Sequence, residues 1–441
     1  MQYSIVDYGA KPGQLCTEAI QKAIDAAETD RGTVVIPAGV YITGTLNLRS
    51  VSLYLQKGAI LQGSGSITDY PEIGYCHTEM GPVRSLLYSL RHSGITISGE
   101  GRLDLNGSAF YDLEHPLIPQ ARVPLTAKQI GECTLTYENR PNQPIFFLQC
   151  DHLTIRDVEI CNAPSWTLSF CECSDVRITD VSITNSMQIP NCDGMHFCCC
   201  DDISVRGCHI SAGDDCIALT ALTNWDRPCE RVTISDCVLR SASKAISIGY
   251  MHSVVRDVTV SNCIVTESNR ALVMMANPGT GLVENVTLSN LRLDARSYAG
   301  AWWGNGEPIC LMATPHDNTK YFKMPPPHRF QEGIRHICGS NLVCSGENAL
   351  AIVGDGGSIR DVQLKNFSYQ KRNGENLKLK GRMIDLAPGE QNAWFPDDER
   401  DYWLYLRGAK AVRLSDYSLE GIDGKALAAY CEDCEDYLLR P

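Results

Sequence analysis

Short segments in which apolar and polar residues alternate recur along this chain, and most of them share one pattern. Each reads apolar-x-apolar-x, then Asp, Asn or Gly, then further apolar positions, as in VRITDVSIT from Val176 and VTISDCVLR from Val232. The other copies begin at Ile95, Leu153, Ile203, Val258 and Val286, with weaker ones at Ile337, Val362 and Val412. From Leu153, successive copies start 23, 27, 29, 26 and 28 residues apart, so the repeat has a period in the twenties.

This pattern predicts both the local structure and the fold. Alternation with many β-branched residues predicts short strands, and Asp, Asn and Gly between them predict turns. A fixed period of this length predicts a solenoid, in which each coil buries its inner side chains against its neighbours. A leucine-rich repeat has a similar period, but its leucine framework and helical half are missing here. We therefore expect an all-β fold, a single-stranded right-handed parallel β-helix that forms one domain over residues 1–441.

The two ends and one interruption depart from the repeat. Residues Thr17 to Glu28 read as an amphipathic helix with Thr17 as its N-cap, and we expect this helix to cap the solenoid. Residues 1–50 would then hold the N-terminal cap and the first coils. A gap of 51 residues separates Val286 from Ile337, which predicts a long loop insertion over 295–336. Residues 425–441 read as an acidic, solvated tail.

Charge and hydropathy exclude two kinds of partner. The chain has 39 Lys and Arg against 52 Asp and Glu, a formal net charge of −13, so nucleic acid is not expected to bind. No apolar run approaches the roughly 18 residues that a membrane helix needs, so no membrane association is expected.

The cysteine content bears on the compartment. Disulfide scaffolds are normally short secreted chains, whereas this chain has 441 residues and 21 cysteines, so we expect reduced thiols. The first residues lack the basic and apolar stretches of a signal peptide, and the localisation predicted is cytoplasmic. Cys431 and Cys434 have the two-residue gap that zinc sites use, but no second such pair follows, so no metal or other cofactor is expected.

Two coils carry acidic residues in short loops. Asp193 lies in PNCDG, and Asp214 and Asp215 follow 21 and 22 residues later in GDDC, about one coil away. The three carboxyl groups should therefore stack on adjacent coils, where like charges raise one another's pKa. A protonated acid that faces ionised ones suits glycoside hydrolysis. From spacing alone, calcium binding and ordinary turn chemistry remain alternatives, and we expect Asp157, Asp180 and Asp236 to be turn residues of that kind.

The motifs NCDG, GDDCIAL and SKAISIG resemble the signature blocks of the polygalacturonase family, family 28 of the glycoside hydrolases. Further similar segments are IVDYGA, VVIPAGVYITG, ISGEGRLDLNG, NRPNQPIFF, NAPSWTL and WWGNGEPI. The resemblance implies a right-handed parallel β-helix and a single-displacement reaction with inversion. It also implies that Asp214 is the general acid, and that Asp193 and Asp215 together activate the attacking water.

Two positions differ from the family pattern. The family has Gly-His-Gly where this chain has Ser243-Lys244-Ala245, so Lys244 stands in place of the histidine, either as a salt-bridge partner of an acid or in a catalytic or substrate-binding role. The family's basic pair on the next coil aligns with Val273 and Met275. Neither side chain can form the bidentate hydrogen bonds that Arg makes with a sugar carboxylate, so galacturonate is a doubtful substrate. The predicted strand parity makes Arg270 a poor substitute unless the strand is bulged.

The remaining candidates are substrate-binding residues. Asn191 would donate hydrogen bonds to sugar hydroxyls, and His252 would replace the missing histidine. Trp302 and Trp303 would stack on sugar rings, although a loop tryptophan is about as often a packing anchor. Lys244 and Arg270 are the other two predicted substrate-binding residues.

The function expected is an inverting glycoside hydrolase acting on pectin-derived oligosaccharides, exo-acting if the long loop walls off one end of the cleft. Its partner would be an oligosaccharide, and its sugar need not be galacturonate. Two alternatives stand beside this one. The first is a β-helix polysaccharide lyase, in which Lys244 is the base and the acids hold calcium. The second is a carbohydrate-binding relative that has lost turnover.

Overall fold

The computed structural model describes residues 1–118, 124–300, 302–315, 327, 332–374, 383–384, 391–392 and 400–441. In this part of the chain, short parallel strands stack into a right-handed β-helix with three faces. The helices are α1 (Thr17–Glu28) and α2 (Ala127–Ile130), with 3₁₀ turns at Ile5–Tyr8, Ile67–Asp69, Gly107–Phe110 and Ile422–Gly424. None of the helices in the described residues has the length and apolar character that crossing a membrane requires.

The strands run in chain order as follows: β1 (Gln2–Ser4), β2 (Thr33–Ile36), β3 (Gly39–Thr43), β4 (Leu46–Asn47), β5 (Ser52–Leu55), β6 (Ala59–Gly63), β7 (Glu72–His77), β8 (Gly81–Arg84), β9 (Leu87–Leu90), β10 (Thr96–Gly99), β11 (Arg102–Asp104), β12 (Tyr111–Asp112), β13 (Thr136–Tyr137), β14 (Ile145–Leu148), β15 (Asp151–Arg156), β16 (Glu159–Cys161), β17 (Leu168–Cys171), β18 (Ser174–Thr179), β19 (Ser182–Thr184), β20 (Met195–Cys198), β21 (Asp201–Arg206), β22 (His209–Ala212), β23 (Ile217–Thr220), β24 (Cys229–Ser235), β25 (Val238–Ser241), β26 (Lys244–Ile248), β27 (Val254–Ser261), β28 (Ile264–Ser268), β29 (Arg270–Met275), β30 (Leu282–Ala295), β31 (Glu307–Ala313), β32 (Gly333–Gly346), β33 (Leu350–Gly354), β34 (Ile359–Lys371), β35 (Met383–Ile384), β36 (Gln391–Asn392), β37 (Tyr402–Arg407), β38 (Ala409–Glu420), β39 (Ala428–Glu432) and β40 (Glu435–Arg440).

Each coil adds one strand to each face, in register with the coil before it. In the central coils, β15, β18, β21, β24 and β27 follow one another on the first face, and β16, β19, β22, β25 and β28 on the second. In the coils of β30, β32, β34 and β38, a single long strand spans both faces. The third face is a 12-stranded parallel sheet that includes β14, β17, β20, β23, β26, β29, β31 and β33. The side chains that face inward form one continuous apolar core, in which Phe147, Phe170 and Phe197 stack ring on ring.

The backbone conformation of the turns explains why the repeat has Asp, Asn or Gly at these positions. Asp157, Asp180, Asp236 and Asn262 all adopt a left-handed backbone, with φ between 54° and 58°, at equivalent turns of successive coils. Gly207, with φ of 66°, holds the same place on another coil. Asn, Asp and Gly tolerate this conformation better than other residues. The expectation that these Asp residues are turn residues agrees with this geometry.

The N-terminal helix matches its predicted range, but not its predicted cap. Helix α1 buries Ile20, Ala23, Ile24 and Ala27 against the first coil. Cys16 is the N-cap residue, and Thr17 is the first helical residue. The Thr17 hydroxyl instead accepts a hydrogen bond from the backbone N–H of Gly44 at 2.8 Å, so it ties the helix to the strand beneath it.

Two predicted irregular segments contain strands. The predicted loop insertion over 295–336 includes β31 (Glu307–Ala313), whose residues pair in parallel with β29. The predicted acidic tail over 425–441 includes β39 and β40, which extend two faces of the solenoid. These strands lack clear copies of the repeat, but their backbones complete the next coils and pair with the preceding ones. Residues 301, 316–326 and 328–331 of the predicted loop lie outside the described residues.

Arg270 is a structural residue and does not face a ligand, contrary to its prediction as a substrate-binding residue. Its side chain is fully buried, and its Nε lies 3.2 Å from Oε2 of Glu307, which is equally buried. The two residues are paired in register on β29 and β31. A buried ion pair that loses one partner leaves an uncompensated charge, which is strongly destabilising.

Arg270→Met should therefore lower the free energy of unfolding by about 3–5 kcal/mol, because it leaves the Glu307 carboxylate buried without its cation. The double variant Arg270→Met/Glu307→Gln should recover most of this loss. Arg256→Met is the control, because Arg256 makes a partly exposed pair with Glu230 and should cost about 1 kcal/mol or less. Urea unfolding of the four proteins measures these differences, and equal midpoints for Arg270→Met and the wild type would contradict this role.

Candidate active site

The three acids predicted from the sequence lie together in one cavity on the outer side of the third face. Asp193 precedes β20, and Asp214 and Asp215 precede β23, the next strand of that sheet. All three are buried, with 3%, 6% and 6% of their surface exposed. The coil period therefore brings the two motifs together, as their spacing predicts.

The cavity is lined by a mixture of acidic, basic and aromatic side chains. These are Glu79, Trp166, Asn191, Asp193, His196, Asp214, Asp215, Thr220, Leu222, Lys244, Ser247, Tyr250 and Trp303. The Oδ1 atoms of Asp193 and Asp214 are buried and have no hydrogen-bond partner within the described part of the chain. Buried oxygens of this kind are where the hydroxyl groups of a ligand or a water molecule would donate.

Two of the three acids have a nitrogen partner. Oδ2 of Asp193 lies 2.9 Å from Nδ1 of His196, and the opposite ring nitrogen, Nε2, lies 3.0 Å from the Thr220 hydroxyl. Oδ1 of Asp215 lies 3.1 Å from Nζ of Lys244. These partners favour the ionised form of each carboxylate.

The surroundings of Asp214 and Asp193 give these two acids different pKa values. Burial, followed by the charges of Asp215 and Asp193, keeps the pKa of Asp214 well above its usual range. Burial raises the pKa of Asp193 to about 6, although His196 and Lys244 lower it. Asp214 is therefore the acid that stays protonated near neutral pH, which is the form that a general acid requires.

Lys244 is a salt-bridge partner, one of the two roles weighed for it. Burial lowers its pKa, but the carboxylates of Asp215 and Asp214 outweigh burial and hold the pKa above its usual value. Its ammonium also lies 5.9 Å from the centre of the Trp303 ring, which borders the cavity. A charged lysine here balances part of the negative charge of the acids.

Asn191 and Trp303 lie where the sequence predicted, at the cavity. Asn191 has a left-handed backbone with φ of 54°, and its neighbour Pro190 is anchored by Arg140, whose Nη1 donates to the Pro190 carbonyl at 2.8 Å. Trp303 is half-buried and exposes part of its ring to the cavity.

Two other predicted substrate-binding residues are placed elsewhere. Trp302 is 1% exposed, and its indole N–H donates to the Glu132 carbonyl at 2.7 Å, so it anchors a loop and does not stack on a sugar. His252 lies 2.7 Å from the Thr280 hydroxyl and packs edge-on against Trp225, away from the acids. It does not replace the family histidine.

Glu79 and His196 were missed by the sequence analysis. Glu79 lies in the turn between β7 and β8, an antiparallel hairpin outside the repeat, and burial raises its pKa to about 7. No period relates this hairpin to the acid motifs, so the sequence holds no signal for it. His196 follows Asp193 by three residues, and the alternation along β20 places it on the outer side, which was a usable signal.

Val273 and Met275 lie on the outer side of β29, but neighbouring side chains bury them. They belong to an apolar group that we call the downstream cluster: Val273, Met275, Cys310, Met312, Ala349, Ala351, Val353, Tyr402 and Tyr405. Val273 and Met275 are 0% and 2% exposed. On the other side of the acids, Phe146 and Leu148 are buried in a second outer group, the upstream cluster, where Tyr75 stacks on Phe146.

One group of donors in the described residues has the spacing of a metal site. Donor atoms of His77, Cys171 and Cys198 lie within 4.8 Å of one another and are buried. However, Nδ1 of His77 accepts hydrogen bonds from the backbone N–H groups of Glu79 and Met80, at 3.1 and 3.2 Å. The proton of this imidazole must therefore be on Nε2, which then has no lone pair to offer a metal.

Comparison with known proteins agrees with the motifs and the geometry. An exo-poly-alpha-D-galacturonosidase from Dickeya chrysanthemi is 28% identical over 439 residues, which cover 88% of this chain and 70% of that protein. A probable polygalacturonase from Vitis vinifera is 24% identical over 327 residues. That match covers 68% of this chain and 62% of the grape protein, so the chain spans less than two thirds of that relative.

The fold has relatives among solved structures. An exopolygalacturonase from Thermotoga maritima superposes with a TM-score of 0.67 at 18% identity, over 89% of this chain and 93% of that one. Residues 27–300 match the glycosyl hydrolases family 28, and this range is more than half of the chain. The protein therefore belongs to family 28 of the glycosyl hydrolases.

Proposed function

We propose that this protein is an inverting glycoside hydrolase that removes sugars from the ends of pectin-derived oligosaccharides. The observation that carries the proposal is the division of the three acids. Asp193 and Asp215 each have a nitrogen partner, whereas burial and neighbouring carboxylates keep the pKa of Asp214 well above its usual range. One protonated carboxyl group beside ionised ones provides the general acid and the general base that a single displacement needs.

Each acid then has one task. Asp214 donates its proton to the glycosidic oxygen, so that the leaving sugar departs as an alcohol. Asp193 and Asp215 hold a water molecule and accept its proton while its oxygen attacks the anomeric carbon from the opposite face. Inversion follows because the water adds in the same step in which the leaving group departs.

Action at a chain end is supported by the outer face of the third sheet. The side chains next to the cavity on the following coil, Val273 and Met275, are buried in the downstream cluster. Those on the preceding coils, Phe146 and Leu148, are buried in the upstream cluster. A long polymer that binds along the sheet needs open positions on both sides of the acids, whereas a chain end needs only the cavity.

The charge of the cavity favours a neutral sugar, such as rhamnose or another unit of pectin side chains. Four acidic side chains, Glu79, Asp193, Asp214 and Asp215, line it together with Lys244 and His196. Lys244 is paired with Asp215, and His196 with Asp193. A galacturonate carboxylate would lie close to the ionised Asp193 and Asp215, whose cations are already paired with them, and would lack the bidentate partner that Arg supplies.

The lyase alternative fits the site less well. A lysine base must be neutral to take a proton from carbon, but two carboxylates hold the pKa of Lys244 above its usual value. Localisation in a reducing cytoplasm is part of the proposal. It is supported by the cysteines, since none of the 21, all within the described residues, forms a disulfide and 16 of them are buried.

Asp214→Asn should lower kcat by a factor of about 10²–10⁴, because the amide cannot protonate the leaving oxygen. Asp157→Asn is the matched control, since it makes the same chemical change at an exposed left-handed turn. Circular dichroism checks that both variants fold. Wild-type rates for Asp214→Asn would contradict its role, and a wild type that binds sugars without any turnover would favour the non-catalytic alternative.

The products test the inverting and chain-end parts separately. NMR of the first product formed should show the anomer opposite to that of the bond cleaved, and single sugars should be released from the start. Blocking the terminal sugar should stop the reaction. A retained anomer would contradict inversion, a mixture of long fragments would contradict chain-end action, and faster cleavage of oligogalacturonides than of neutral pectic oligosaccharides would contradict a neutral sugar.

A further inference from the structure

A continuous line of polar side chains connects Asp193 to the hairpin formed by β7 and β8. Asp193 contacts His196 at 2.9 Å, and His196 contacts Thr220 at 3.0 Å through its other ring nitrogen. The Thr220 hydroxyl then lies 3.2 Å from Sγ of Cys198, and that sulfur lies 3.9 Å from Nε2 of His77. All five side chains are buried, between 1% and 5% exposed. Bulk water therefore reaches this line only through the cavity, which Asp193, His196 and Thr220 border.

The backbone fixes the direction of the hydrogen bonds at the hairpin end. Because the N–H groups of Glu79 and Met80 donate to Nδ1 of His77, the proton of this ring is on Nε2. Nε2–H points toward Cys198, so the sulfur is an acceptor there. A sulfur that accepts hydrogen bonds is better satisfied as a thiolate than as a thiol.

Two arrangements of protons satisfy the rest of the line. In the first, Cys198 is a thiol whose S–H donates to Thr220, while the Thr220 O–H donates to Nε2 of a neutral His196. In the second, Cys198 is a thiolate, the Thr220 O–H donates to the sulfur, and Nε2–H of a charged His196 donates to Thr220. In both, Nδ1–H of His196 donates to Asp193. One proton moves from sulfur to the Thr220 oxygen as another moves from that oxygen to Nε2, so nothing else is needed to interconvert them.

The surroundings favour the charged arrangement. Titratable groups surround this line of side chains: Asp193 and Cys198 from the coil of His196, Cys171 from the preceding one, Asp214, Asp215 and Lys244 from the following ones, and His77 and Glu79 from the hairpin. Burial lowers the pKa of His196, but Cys198 and Asp193 outweigh it and hold the pKa well above its usual value.

Two further observations favour a thiolate at Cys198 and a charged His196. Burial raises the pKa of Cys198, but Cys171, His196 and His77 outweigh it and hold the pKa well below its usual value. The indole ring of Trp166 lies parallel to the imidazole of His196, with centres 3.8 Å apart and planes at 21°. A cation over the face of a tryptophan ring is stabilised by it.

We propose that Cys198 and His196 form a thiolate–imidazolium pair in the resting protein, joined by the Thr220 hydroxyl as a proton relay, and that this pair keeps Asp193 ionised. Cys198, Thr220 and His196 are then positioning residues that act through Asp193. The state of the pair does not depend on the reaction. Its effect on catalysis rests on the proposed function, in which Asp193 is a base.

The direct test is an NMR measurement of histidine protonation in the full-length protein labelled with ¹⁵N-histidine. At pH 7, His196 should carry protons on both ring nitrogens, and His77 on Nε2 alone. Cys198→Ala removes the thiolate and Thr220→Val removes the relay, so in both variants His196 should become neutral and keep only the Nδ1 proton. Cys200→Ala is the matched control, because Cys200 lies on the same coil but faces the apolar core, and it should leave His196 charged.

The pH profile of kcat/KM is the second readout. A neutral His196 still donates its Nδ1–H to Asp193 but has lost the positive charge that lowers the pKa of Asp193 further, so the acidic limb should move to higher pH in Cys198→Ala and Thr220→Val, but not in Cys200→Ala. On that limb, a shift of one unit lowers activity about tenfold. A neutral His196 in the wild type, or a charged one in Cys198→Ala, would overturn the pair. A charged pair with an unmoved acidic limb would overturn its action on Asp193. If the protein hydrolyses no sugar, the NMR result still decides the pair.

Discussion

The site depends on one constraint of the fold, which is that equivalent residues of successive coils stand directly beside one another. Strands of a parallel sheet are about 4.8 Å apart, so side chains in one column cannot avoid contact. Lys244, Arg270 and Glu307 are in register at the start of β26, β29 and β31. Asp193 and Asp215 hold the corresponding place before β20 and β23. Five charged residues are thereby stacked in a region largely closed to water.

Charges in such a column must be paired or neutralised. Arg270 pairs with Glu307, and Lys244 with Asp215, while Asp193 pairs with His196, three residues further along the same coil. Asp214 is next to this column and has its pKa raised by burial and by the charges of Asp215 and Asp193. For a buried acid in this position, the protonated form has a lower free energy than the ionised form. The choice of the general acid thus follows from how the neighbouring charges are paired.

The sequence predicted the features that the repeat controls. The coil period predicted the β-helix and the meeting of Asp193 with Asp214 and Asp215, and the amphipathic pattern of residues 17–28 predicted the range of α1. Arg270 is in register with Lys244, and its burial depends on its pairing with Glu307, which the predicted loop concealed. The strands β31, β39 and β40 were missed because backbone pairing, and not side-chain alternation, extends the solenoid there. The position of Glu79 at the cavity and the burial of Val273 and Met275 depend on tertiary packing, which the spacing of the repeat does not predict.

The most direct test of this account is a neutron crystal structure of the protein at neutral pD, in which the deuterons on carboxyl groups and imidazoles are visible. The account predicts a deuteron on the carboxyl group of Asp214 and none on Asp193 or Asp215. An ionised Asp214 beside a protonated Asp193 or Asp215 would contradict it.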